Sequence, residues 1–139
     1  MAAECHPERV AIRSGGRNVT YGELHRAARA AADKIREAQV QRVGLLDTNG
    51  LAAPIALFGA AFAGVPYVPM NYRLTKDEIE ALLRRISPAL VVVGDAVNAS
   101  LVMPDGIQTV SSETFYRDAL AANPSTLVAP GAPDDVAIQ

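Results

Sequence analysis

Cysteine is nearly missing from the 139 residues; Cys5 stands alone. A single thiol excludes an internal disulfide framework and any all-cysteine metal site. Positive charge is not in excess either. Lys and Arg number 13 against 15 Asp and Glu, for a formal net charge of -2 and a pI near 5.6. No basic stripe exists to release counterions from nucleic acid, which excludes that class of partner. Long apolar runs are also absent. The longest, Leu51 to Val65, is interrupted by Pro54, Gly59 and Gly64 and is too short to span a bilayer. The first residues lack a basic flank leading into an apolar core, so the sequence predicts neither a signal peptide nor a transmembrane segment. The glycosylation triplets at Asn18 and Asn98 are then chance matches, and the expected location is a reducing cytoplasm.

Half of the residues are apolar and a fifth charged, the balance of an ordinary globular protein. A chain of this length can take roughly 68–70% of its unfolded surface out of water. The first unit is a hairpin, Arg9–Arg13 and Arg17–Thr20 joined through Ser14-Gly15-Gly16, whose glycines supply the positive φ of a tight turn. A helix follows at once. Thr20 and Glu23 have capping-box spacing, with Val19 and Leu24 placed as a hydrophobic staple. Leu24, Ala28, Ala31 and Ile35 form a narrow stripe of mostly small residues, suited to close packing.

Strands then alternate with helices. Val43–Leu46 is a short buried strand. Asn49 is a candidate N-cap for a helix with Pro54 near its start. Ile55–Phe62 is apolar on every side, which predicts burial on more than one face, and Gly64 suits a left-handed C-terminal cap. Pro66–Met70 holds a short strand between prolines. Thr75 and Glu78, with Leu74 and Ile79, repeat the box and staple at the head of an amphipathic helix that Pro88 ends. Ala89–Val93 and Ile107–Val110 are strands, and Ser111 or Ser112 caps a helix through Ala122. Residues 123–133 form a loop by their Pro, Gly and Ser content, and Val136–Ile138 begins a last strand. The order predicts one α/β unit over 1–139: a mainly parallel sheet with right-handed crossovers and helices on both faces, preceded by a β-hairpin and helix.

Candidate chemistry is sparse. Gly59-Ala-Ala-Phe-Ala-Gly64 has the outline of a phosphate-binding loop, but Val65 and Pro66 stand where Lys and Ser or Thr belong. Helix packing and capping explain the two glycines better. No G-x-G-x-x-G fingerprint marks a dinucleotide site. Cys5 and His6 lack the further ligands zinc requires. His25, beside Leu24, is expected to be partly exposed rather than catalytic. Asp77, Glu78 and Glu80 complement the dipole of their helix. Asp134 and Asp135 belong to a solvated loop end, and Arg84 and Arg85 to a helix end.

Three segments taken in order resemble the N-terminal region of the adenylate-forming ligase superfamily. Val19-Thr-Tyr-Gly-Glu-Leu24 is similar to its opening T-Y-x-E-L motif. Val43 through Gly59-Ala-Ala-Phe-Ala-Gly-Val-Pro-Tyr-Val-Pro69 resembles the strand, buried helix and proline-bounded strand that follow. Asn71-Tyr-Arg-Leu-Thr-Lys-Asp-Glu-Ile79 with Ile86–Val93 looks like the acyl-CoA synthetase branch, N-x-R-L-T-x-x-E before a helix and strand. The sequence departs from the family at Gln41-Arg42, where Gly-Asp is frequent, and at Thr48, where Pro commonly stands.

The resemblance implies a parent that activates a carboxylate with Mg-ATP, releases pyrophosphate and passes the acyl group to CoA: a fatty-acid-CoA ligase using ATP, Mg and CoA. It also implies that Asp134–Gln139 is the strand leading to the family's phosphate loop. The adenine motif, ribose-binding Asp and catalytic Lys lie further on in the family. No catalytic, cofactor-binding or metal-binding residue is therefore carried over to these positions. The chain alone is expected to be inactive, with the remainder of the parent chain as its partner. The alternative is a stand-alone binding or interaction module on the same scaffold. An interrupted sheet also exposes an edge, which predicts homodimers or strand exchange at high concentration.

Overall fold

The computed structural model describes residues 2–48, 50–95 and 101–123. The loop of 123–133 beyond Asn123 and the strand of Val136–Ile138 lie outside these residues, as does Asn49. A short helix α1 (Ala2–Cys5) precedes a hairpin of β1 (Val10–Ser14) and β2 (Arg17–Thr20). Ser14 belongs to β1 and pairs with Arg17, so the turn is the two residues Gly15 and Gly16, at φ 55° and 76°. Two successive positive φ angles match the right-handed strand twist, and glycine adopts them without a Cβ penalty.

Helix α2 (Tyr21–Glu37) begins on the expected box. The Glu23 backbone N–H donates to Thr20 Oγ1 at 3.2 Å, and the Thr20 N–H donates to Glu23 Oε2 at 2.8 Å. Val19 and Leu24, the staple pair, are both buried in one cluster. The hydrogen bond from the Thr20 backbone, ahead of smaller contributions, holds the Glu23 carboxyl below its ordinary range. A depressed carboxyl contributes stability above its unfolded value and loses that contribution as pH falls through the folded one. Thermal melts followed by circular dichroism should therefore show stability declining on the acid side of the ordinary glutamate value. Thr20→Ala should cost about 1 kcal/mol at neutral pH, whereas Glu23→Gln, which removes the titrating carboxyl, should flatten that decline.

The central sheet contains β3 (Arg42–Leu46), β4 (Tyr67–Pro69), β5 (Ala89–Val93) and β6 (Ile107–Ser111), all parallel in the order β4-β3-β5-β6. Strand alternation divides the core. Val43, Leu45, Leu90 and Val92 face a cluster built with α2, α3 (Ala52–Ala63) and α5 (Ser112–Ala121). Leu46, Ala89, Val91 and Val93 face a second cluster under α4 (Lys76–Ile86). Helices thus cover both faces, and all five β5 residues are buried, as a central parallel strand requires.

Three local expectations change. Helix α3 starts at Ala52, with Leu51 in the cap position and no side-chain cap bond. It is also not buried all round: Ile55, Ala56, Gly59 and Ala60 face the interior, while Phe58 is 46% exposed. Small residues let α2 approach closely at Gly59, and among the described residues none fully covers Phe58. The last helix ends at Ala121, one residue early; of its two candidate caps, Ser111 accepts from the Thr114 N–H at 3.1 Å. Gly64 takes the left-handed cap at φ 75°, and the Thr75–Glu78 box forms as expected.

Candidate functional site

In an open parallel sheet, ligands bind beyond the carboxyl ends of the strands, where the strand order reverses. That point lies here between β3 and β5, since the chain turns from β3 outward to β4 and later from β5 outward to β6. Asp47 and Thr48 follow β3; Gly94 and Asp95 follow β5. Asp47 Oδ1 accepts from the Thr48 N–H at 2.7 Å, and the Gly94 N–H donates to the Leu46 carbonyl at 3.0 Å. The Asp47 carboxylate rests against the bare Cα of Gly94, where any Cβ would collide with it. Of the two residues after each strand, none is Lys or Arg, whereas Asp47, Asp95 and Glu113 are acidic. Phosphoryl groups need backbone N–H donors, a cation and a metal brought together. Among the described residues this rim offers carboxylates and no cation to a phosphoryl group.

The phosphate-loop outline at 59–64 resolves into helix geometry. Gly59 lies inside α3 against Ala31 of α2, and Gly64 is the helix cap. His25 is half-buried, its ring edge-on to Phe62 at 5.5 Å between centroids. With Tyr21, Leu24, Phe58 and Phe62 it lines an apolar groove of about 200 Å³. A larger groove of about 490 Å³ runs between α2 and α5, bordered by Asp33, Lys34, Glu37 and Asp118. Cys5 and His6 are exposed. Among the described residues, no group of three or more His, Cys, Asp or Glu side chains could hold a metal. None of the described helices is long and apolar enough to cross a membrane. Asp134 and Asp135 lie outside the described residues.

Glu80 departs from expectation. Asp77 and Glu78 are solvated in the first turn of α4, but Glu80 is only 9% exposed. It lies 3.7 Å from both Lys76 Nζ and Arg84 Nη2, and its Oε1 accepts the Val102 N–H at 3.1 Å. The i,i+4 spacing of Lys76, Glu80 and Arg84 was the available signal; the tertiary bond to Val102 had none. Glu80→Ala removes that acceptor and should cost about 1–2 kcal/mol, with faster hydrogen exchange at the Val102 amide. Glu80→Gln, which retains an acceptor, should preserve most of the protection.

A family model described as "AMP-binding enzyme" matches residues 1–138. The chain belongs to the AMP-binding enzyme family. It is 32% identical over 140 residues to a probable non-canonical nonribosomal peptide synthetase, CymA, of Salinispora arenicola, covering 99% of this chain and 2% of that protein. It is 37% identical over 84 residues to a feruloyl-CoA synthase of an Amycolatopsis species, covering 58% of this chain and 17% of that one. The crystal structure of a benzoate CoA ligase from Burkholderia xenovorans superposes with a TM-score of 0.81 at 26% identity, over 98% of this chain and 30% of the ligase. The chain therefore spans less than a fifth of the two curated relatives' lengths. Its α/β architecture is that of the N-terminal subdomain of AMP-binding, adenylate-forming ligases.

Proposed function

We propose that this chain is the framework subdomain of an AMP-forming acid–thiol ligase, an acyl-CoA synthetase for a fatty or related apolar acid. In this reading ATP, Mg and CoA are held by other residues of the parent. The observation that carries it is the turn from β4 into α4. Asn71 Oδ1 accepts from the Arg73 N–H at 3.0 Å, and Glu78 Oε2 accepts from the Thr75 N–H at 2.8 Å. The sequence Asn71-Tyr-Arg-Leu-Thr-Lys-Asp-Glu78 thereby makes a defined loop and cap of the kind that resembles CoA ligases. Likeness to a feruloyl-CoA synthase and a benzoate CoA ligase supports the same branch.

A second reading, an adenylation unit of a peptide synthetase, is favoured by the match to CymA along nearly the whole chain. The two differ in the thiol that receives the acyl group. The polypeptide expressed at the full length of its gene should catalyse pyrophosphate exchange into ATP that depends on an apolar carboxylic acid, and should release the acyl-CoA thioester. Exchange dependent on amino acids, with transfer only to a carrier-protein thiol, would establish the second reading. No exchange from the full-length product would leave the stand-alone module and overturn both. The 139 residues by themselves should give no exchange.

A further inference from the structure

We draw no further inference here: the strongest candidate, the apolar groove of about 200 Å³ in which Phe58 and Phe62 of α3 face Tyr21, Leu24 and His25 of α2 beside α1, is an unpartnered face, and nothing among the described residues shows what covers it.

Discussion

Gly59→Leu should destabilise the fold by about 3 kcal/mol, read as a lower urea midpoint with little change in slope. A Cβ at Gly59 would lie 2.8 Å from Ala31 Cβ and 3.3 Å from the Ala28 carbonyl oxygen. Neither is the end of a flexible side chain, so the crossing of α2 on α3 must widen to admit any branch. Two effects oppose each other for the smaller change Gly59→Ala. Helix propensity favours alanine by about 1 kcal/mol, whereas overpacking costs about 1–3 kcal/mol. The alanine variant should therefore fall between neutral and mildly destabilised, and leucine well below it. A leucine variant as stable as the parent sequence would show that the two helices do not meet through Gly59.

Phe115→Ala should cost about 3–5 kcal/mol. Phe115 is 1% exposed and is among the largest fully buried side chains. It anchors α5 in the cluster shared with α2 and α3, which includes Ala31, Ile35 and Leu90. Phe58 supplies an internal control, being the same residue type at 46% exposure. Its replacement by alanine removes less buried surface and should cost about 1–2 kcal/mol, well below the loss at Phe115. Equal losses for the two variants would contradict the placement of α5 on α2 and α3.

Much of the architecture was legible because short-range rules and long-range packing agree. Both capping boxes, the Gly64 cap and the β-branched run Ala89–Val93 carry their signals within a few residues, and each forms as expected. The parallel sheet followed from the alternation of those elements. What escaped depends on contacts between distant segments. Glu80 bonds the Val102 amide 22 positions away, and the seating of Asp47 depends on Gly94, just past the end of the neighbouring strand. The exposure of Phe58 was missed because composition shows that α3 is apolar but not that small residues concentrate its packing on one face. For the candidate site, the packing and capping roles of Gly59 and Gly64 were legible because Val65 and Pro66 stand where a phosphate loop has Lys and Ser or Thr. The acidic rim required the strand order, since Asp47 and Asp95 are neighbours only once β3 and β5 pair.

The proposed role of the chain as framework, holding no nucleotide by itself, is tested most directly by titrating the purified 139-residue protein with Mg-ATP in a calorimeter. The account predicts only heats of dilution, at any nucleotide concentration up to the millimolar range. A one-to-one binding isotherm from these residues alone would contradict it.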